Sequence, residues 1–173
     1  AGNEDNGVVG SNLSLSQLYK AHRELFGNIT NEICPIKDMI VDTKQQVSIQ
    51  CHPDDEYGMK HDNSLGKPER LLIISVEPGS KMEFGHNAKN KEELRKMVYS
   101  GEWDKLLRYE YPKEGDFIYV PSGIMHAVGK GIVLFEVSRN ADLTHRLDDY
   151  DRVDKNGNKR QLNIEKSLDI LEA

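Results

Sequence analysis

The segment Ser48-Ile49-Gln50-Cys51-His52-Pro53-Asp54-Asp55 constrains this chain more than any other stretch. It has the pattern of a β-strand running into a turn. In an extended strand successive side chains point to opposite faces, so Ser48, Gln50 and His52 share one face while Ile49 and Cys51 share the other. A hydroxyl, an amide and an imidazole in one row are not what a sheet core selects for packing. Buried, such a row needs hydrogen-bond partners or a metal to offset its desolvation. Taken alone it equally fits an edge strand facing water, where polar side chains are the norm.

Two later segments change that balance. Gly66-Lys67-Pro68-Glu69 precedes the apolar run Leu71-Leu72-Ile73-Ile74-Ser75-Val76, which ends at the turn Glu77-Pro78-Gly79-Ser80. Residues 115–126 have the spacing G-x5-P-x-G-x2-H: a strand, a Pro-Gly turn, and His126 at the start of the next strand. His126 by itself reads as a hydrogen-bonded histidine at a strand end. Two imidazoles, a carboxylate and an amide oxygen together form an N2O2 set that suits Zn(II) or another first-row divalent ion, with room for a water or substrate oxygen.

Residues 115–126 match the second motif of the cupin superfamily. With Gln50-x-His52-Pro53-Asp54-Asp55 and Gly66-Lys67-Pro68-Glu69, the chain closely resembles the type I mannose-6-phosphate isomerase family. Phe84-Gly85-His86-Asn87-Ala88, Val128-Gly129-Lys130-Gly131 and Asn140-Ala141-Asp142-Leu143-Thr144-His145-Arg146-Leu147 are similar to that family's later signatures. The resemblance runs from about residue 15 to 171. It implies a mainly β fold, the cupin-type jelly-roll double-sheet barrel, and Gln50, His52, Glu69 and His126 as ligands of one Zn2+ per chain. Arg146 matches the family's active-site arginine, whose planar fork suits phosphate or an enediolate oxygen. Lys67 is the implied partner cation. Glu136 and Asp142 fall at pocket-acid positions, with Glu136 the candidate proton shuttle and Asp142 a structural group capping a turn. The implied reaction interconverts mannose 6-phosphate and fructose 6-phosphate through an enediol, which needs a base near the carbon acid and positive charge near the developing oxyanion. The resemblance also admits a homodimer.

This sequence departs from the family in places. Arg70-Leu71-Leu72 replaces a more aromatic stretch, and His145 and Asp148 stand where aromatics are common. His145 is expected to point away from Arg146 and from the metal. Family members are longer, with an aromatic/glycine opening before the first helix and a β-rich section after the last, both of which this chain is expected to lack. Three other classes therefore stay open: a non-catalytic metal-binding cupin that binds or senses a sugar phosphate, an inactive fragment of the isomerase, and an oxygen-using metal cupin.

With 173 residues, 37% of them hydrophobic, one domain can bury a proper core. Charged residues make up 30% and apolar runs are short, so no transmembrane helix is expected. The opening Ala1-Gly2-Asn3-Glu4-Asp5-Asn6 is polar and acidic, unlike a signal peptide. Cys34 and Cys51 make no disulfide framework, and a reduced cytoplasmic setting is the default. Net charge is −6 without a basic block, which argues against nucleic acid as a partner. An acidic protein does not steer an anion from a distance, so a sugar phosphate would need a local cationic pocket, for which Lys67 and Arg146 are the candidates.

A single domain over 1–173 is expected, with the barrel at 38–164 and a helical insertion near 90–100. Residues 1–12 read as a tail or loop. Residues 14–26 read as a helix with a Ser14/Gln17 capping box, one side formed by Leu15, Leu18, Tyr19, His22 and Leu25, and Gly27 as its stop. Strands follow at 39–41 and 47–51, then a helical start at Asp54-Asp55-Glu56, where carboxylates suit exposed amide donors. Residues 70–76 and 81–84 read as a hairpin or short-looped strand pair, 90–100 as a second helix, and 106–111, 117–120 and 132–137 as strands. Asp154-Lys155-Asn156-Gly157-Asn158 reads as a hairpin turn and not a calcium loop, since the twelve-residue ligand pattern is missing. Residues 164–171 close the chain as a helix. Many short strands with two or three peripheral helices give a double-sheet barrel.

Overall fold

In the computed structural model, which describes residues 5–173, nine strands form two antiparallel sheets. The strands are β1 (Ile36–Asp42), β2 (Ile49–Cys51), β3 (Glu69–Val76), β4 (Met82–His86), β5 (Leu107–Glu110), β6 (Phe117–Val120), β7 (His126–Val128), β8 (Ile132–Arg139) and β9 (His145–Asp148). One sheet has the order β1-β8-β3-β6 and the other β5-β4-β7-β2-β9. This is the cupin-type double-sheet barrel that the motifs imply. Its interior follows from alternation. Along β8, Ile132, Leu134, Glu136 and Ser138 are buried while their neighbours are half-buried. The barrel core gathers Leu71, Ile73, Met82, Val120, Ile132 and Leu134 from both sheets.

The outer faces differ. That of the five-stranded sheet is covered by helices α3 (Lys91–Ser100) and α5 (Ile164–Ile170), where Ile49, Cys51 and Leu147 pack with Leu94, Val98 and Leu168. That of the four-stranded sheet is open. Ile40, Phe135, Leu72 and Phe117 lie in one cross-strand row, and Ile40 and Phe117 are 62% and 65% exposed.

Several expectations change. Residues 70–76 and 81–84 do not form a hairpin: β3 pairs with β6 and β8, and β4 with β5 and β7. The link between them is long enough to cross the roughly 10 Å between packed sheets, and each strand's partners come from farther along the chain. The first helix is α1 (Leu15–Ala21), with the expected capping box. It stops at His22, and a 3-10 turn, Arg23–Phe26, completes the segment before Gly27, whose φ of 73° is left-handed. Tyr19 is buried there, whereas Leu15 and Leu25 are exposed. Two further short helices, α2 (Asp55–Asp62) and α4 (Trp103–Leu106), bring the α-helices among the described residues to five. Asp54 caps α2, its carboxylate accepting from the Tyr57 amide at 2.8 Å.

Of the expected tail, residues 1–4 lie outside the described residues. From Asp5 the chain folds back on α1, with Gly7 bridging Ser14. The 154–158 segment is a turn in which the Asp154 carboxylate accepts from the Asn156 and Asn158 amides. No helix among the described residues is long and apolar enough to cross a membrane.

Candidate metal centre

Strand β2 lies between β7 and β9, and the register sets Gln50 opposite His126 on one side and Arg146 on the other. Phe84 of β4 pairs with His126 in turn. One row across the inner face therefore reads Phe84, His126, Gln50, Arg146, with His52 two residues beyond Gln50 on the same face. The facing sheet contributes Glu69, in register with Ser138, while Glu136 pairs with Leu71. The side chains of His52, Glu69, His126 and Gln50, and of Glu136 through Lys67, meet at one end of the barrel interior.

Donor atoms of His52, Glu69 and His126 lie within 4.8 Å of one another, and all three residues are buried. His52 Nε2 is 3.1 Å from Glu69 Oε1, and His126 Nε2 is 3.5 Å from Glu69 Oε2. The other ring nitrogens face backbone carbonyls: His52 Nδ1 is 2.8 Å from Leu143 O, and His126 Nδ1 is 3.0 Å from Ile124 O. A carbonyl only accepts, so each Nδ1 carries a proton, and Nε2 is the ring atom turned toward the carboxylate. Burial disfavours a charge on His52 and pushes its pKa down. His52 Nε2 is buried without a hydrogen-bond partner among the described residues. Burial works to raise the Glu69 carboxyl, and the adjoining His126 and His52 outweigh it, holding it well below the usual carboxylate range. Two ring nitrogens and a carboxylate thus converge in a buried pocket. These residues fit a divalent cation.

The Gln50 amide reaches the same place with its nitrogen toward His126, 3.5 Å from Nε2, while its oxygen accepts from Ser48 Oγ at 3.1 Å. Rotating the amide by half a turn exchanges the two atoms and presents the oxygen.

Lys67 is buried with its Nζ 2.6 Å from Glu69 Oε1 and 3.2 Å from Glu136 Oε1. Burial disfavours its charge, and the two carboxylates more than compensate, so its pKa is raised. Glu136 is pushed up by burial first and by the Glu69 charge second, against Lys67. Arg146 is half-buried, forms no ion pair among the described residues, and has a buried Nε without a partner. Asp142 is exposed and accepts no hydrogen bond among the described residues, so the turn-capping expectation is not met. His145 points out of the barrel, its Nε2 3.1 Å from Asp62 Oδ2. Cys51 also faces outward, and burial pushes its thiol up to about 12, which makes it a packed, inert side chain.

The loops carrying these residues are bonded together. Pro53 O accepts from Ser122 Oγ at 2.9 Å and from the Lys67 amide at 3.3 Å, and His52 O accepts from the Gly123 amide at 2.9 Å. Gly66 is required by this closeness, since a Cβ there would lie 2.5 Å from Pro53 O. Sequence reasoning missed these backbone anchors, which have no residue signature. It also missed the buried Asp149 carboxylate that pairs with Arg152 and Arg160, whose only signal is an acid and two arginines in an irregular segment.

Compared with models of known protein families, the chain matches none. Individual proteins give a different result. The chain is 47% identical over 166 residues to the mannose-6-phosphate isomerase of Streptococcus mutans, covering 96% of this chain and 52% of that protein. It is 47% identical over 161 residues to the mannose-6-phosphate isomerase ManA of Bacillus subtilis, covering 92% and 51%. Over nearly its whole length the chain is similar to mannose-6-phosphate isomerases. The crystal structure of the Bacillus subtilis mannose 6-phosphate isomerase matches with a TM-score of 0.89 at 39% identity, over 96% of this chain and 53% of that one. A mannose 6-phosphate isomerase crystallised with zinc and yttrium shares the fold, with a TM-score of 0.70 at 14% identity over 92% of this chain and 61% of that one. The chain spans about half the length of the curated mannose-6-phosphate isomerases it matches.

Proposed function

We propose that this chain is a zinc-dependent aldose–ketose isomerase that interconverts mannose 6-phosphate and fructose 6-phosphate. One observation carries the reading: two imidazoles and a carboxylate converge in a buried cluster, with Arg146 in register beside Gln50, in a chain 47% identical to named mannose-6-phosphate isomerases.

His52, Glu69 and His126, with Gln50 after rotation of its amide, would hold one Zn2+ per chain. The bound ion would supply a Lewis acid that polarises carbonyl and hydroxyl oxygens of the sugar. The protein's own groups do the rest. Glu136, with its pKa raised by burial, is the candidate to take the proton from one carbon and return it to its neighbour. Lys67, held between Glu69 and Glu136, keeps positive charge beside that carboxyl and orients it. Arg146 presents a fork of donors on the same inner face for phosphate or an enediolate oxygen. The two unpaired cysteines suit a reduced cytoplasmic setting, and the reading leaves room for a homodimer.

A coupled assay on the zinc-loaded chain tests this. Turnover of mannose 6-phosphate with one zinc per chain is the expected result. No turnover, with zinc bound and cooperative melting intact, would overturn the enzymatic reading. Because the chain spans about half of its relatives, a non-catalytic metal cupin that binds a sugar phosphate is the second reading. Fructose 6-phosphate raising the melting temperature without turnover would favour it.

A further inference from the structure

We infer that Ser138 is a positioning residue for Glu136, its buried hydroxyl donating to the carboxylate oxygen that Lys67 leaves free and so fixing the plane in which Glu136 meets the reacting carbons, resting on the isomerase reading above for the reaction.

Glu136 is a proton-transfer group held on one side only. It takes a proton from one carbon and returns it to the neighbouring one, so its carboxylate has to keep one orientation through both transfers. Lys67 Nζ engages Oε1 at 3.2 Å, and Oε2 accepts no hydrogen bond among the described residues. A single contact leaves the carboxylate free to turn about its last side-chain torsion, a broad and roughly two-fold rotor.

Ser138 is placed to supply the second contact. On β8 it lies two residues beyond Glu136 on the same inner face, and both are buried. The rows across the sheet decide which way the carboxylate reaches. Leu71 pairs with Glu136 and Glu69 with Ser138, so Lys67 lies two residues further along, past the row of Ser138. Bonded to Lys67, the Glu136 carboxylate is drawn along the strand toward Ser138. Met39 and Leu71, which flank Glu136 in register, have side chains without a polar hydrogen. That leaves the donors of the next row, where Ser138 adjoins Glu136 on its own strand.

Nothing else in the fold accounts for the hydroxyl. Ser138 Oγ is buried with no hydrogen-bond partner among the described residues, and a buried hydroxyl without a partner is destabilising. Catalytic hydrogen bonds are often long in the free enzyme and close only around the substrate. The electrostatics agree with that assignment. Burial first and the Glu69 charge second push the Glu136 pKa up, while Lys67 and then the Ser138 hydroxyl oppose them, as a proton turned toward the carboxylate does.

Two plainer roles compete with this one. Ser138 lies opposite Glu69, where a small side chain makes room for the metal cluster and the hydroxyl is incidental. Alternatively the hydroxyl donates to Glu69 and orients it. Yet both Glu69 oxygens already face partners: Oε1 takes Lys67 at 2.6 Å and lies 3.1 Å from His52 Nε2, and Oε2 is 3.5 Å from His126 Nε2. Glu136 Oε2 is the carboxylate oxygen still in need of a donor.

Steady-state kinetics, zinc titration and thermal melting on one set of variants test this. Ser138→Ala, nearly the same size, should lower kcat about 10-fold, the effect of one hydrogen bond to a charged group. KM, zinc affinity and melting temperature should stay where they are. Ser138→Thr keeps the hydroxyl and should recover most of the loss. In a Glu136→Gln background, Ser138→Ala should bring no further loss, since the oxygen it positions no longer takes the proton. A similar loss in that background would mean that Ser138 acts elsewhere and overturn the inference. An unchanged kcat in Ser138→Ala would overturn it by leaving small size as the whole role, and a weakened zinc affinity by assigning the hydroxyl to Glu69. Each of those results leaves the isomerase reading standing. No turnover of mannose 6-phosphate by the unaltered, zinc-loaded chain would overturn both.

Discussion

The two ends of the barrel interior are built by the same strands and have opposite chemistry. Strand β3 places Leu71 and Ile73 in the apolar core, and Glu69, on the same face, in the polar cluster. Strand β7 does this with Val128 and His126, and β8 with Leu134 and Glu136. Alternation decides only which way a side chain points. Position along the strand decides whether it meets a closed core or the end where the loops at residues 52–54, 66–68 and 121–124 converge. Burying an aliphatic side chain at the first end stabilises the fold by about 1.5–3 kcal/mol. Burying a charge at the second costs several kcal/mol per ion before pairing, and the cluster meets that cost with Lys67, Glu69, Glu136 and the room for a cation. One end holds the barrel together, and the other is held together by it.

The sharpest way to break this contrast is to alter neighbours on one strand. Glu136→Gln preserves shape and removes the acid, so kcat should fall about 10²- to 10⁴-fold, the usual contribution of a positioned acid–base group. Its melting temperature should barely move. Leu134→Ala, one pleat repeat away, should do the reverse. It should cost about 2–5 kcal/mol of stability by opening a cavity, with kcat of the folded fraction unchanged. Urea unfolding and steady-state kinetics on both variants decide the matter. A large stability loss in Glu136→Gln, or a large kcat loss in Leu134→Ala, would dissolve the distinction between the two ends.

Metal linkage gives the next effect in size. Free zinc at about 100 times its dissociation constant should stabilise the chain by about 2.7 kcal/mol, read as a rise in melting temperature that a chelator reverses. Glu69→Ala should abolish that rise and weaken zinc binding by more than about 100-fold, beyond the loss expected of a residue that merely orients a ligand. Full zinc affinity in Glu69→Ala would place the metal elsewhere.

What could be read from the residues alone follows the same division. The shared face of Gln50 and His52, and the strand–turn–histidine of residues 115–126, depend on local period and turn chemistry. The same holds for the Asn90 and Gly101 caps of α3, where Asn90 Oδ1 accepts from the Glu93 amide at 2.9 Å. Sheet partnership is different. Nothing local separates β3 and β4 joined as a hairpin from β3 and β4 in opposite sheets, because the deciding strands β6, β7 and β8 lie some 40 to 60 residues on. In the site, the residue types were legible and their anchors were not. Leu143 O and Ile124 O fix the two imidazole tautomers, and any residue could supply a carbonyl. Asp149 and Arg160 stayed hidden for a related reason. They come together through an irregular segment with no period to follow, and only the bond from the Asn163 amide back to Arg146 O of β9 shows where it runs.

The smallest expected effect concerns His145, which shares β9 with Arg146 but faces the helices. Its Nε2 is 3.1 Å from Asp62 Oδ2, and Lys166 is paired with the same carboxylate. Burial pushes its pKa below the ordinary 6.5, with Lys166 and His61 acting in the same direction and Asp62 opposing them. The unfolded chain therefore takes up a proton at this site at a higher pH than the folded chain does. The stabilising contribution is complete above about pH 6.5 and is lost as pH falls from there toward the folded pKa, because the unfolded state then binds more protons. His145→Gln, neutral throughout, should show a shallower loss of stability between pH 7.5 and 5.5, measured as urea midpoints. His52 also has a pKa lowered by burial and contributes with the same sign in zinc-free protein, so the difference between the unaltered chain and the variant is the quantity to read. If the unaltered chain instead loses less stability than the variant as pH falls, His145 is protonated against Asp62 in the folded state. The outer face of β9 would then carry an ion pair as the inner end does, and the contrast between a charged interior end and a neutral helix-covered face would be lost.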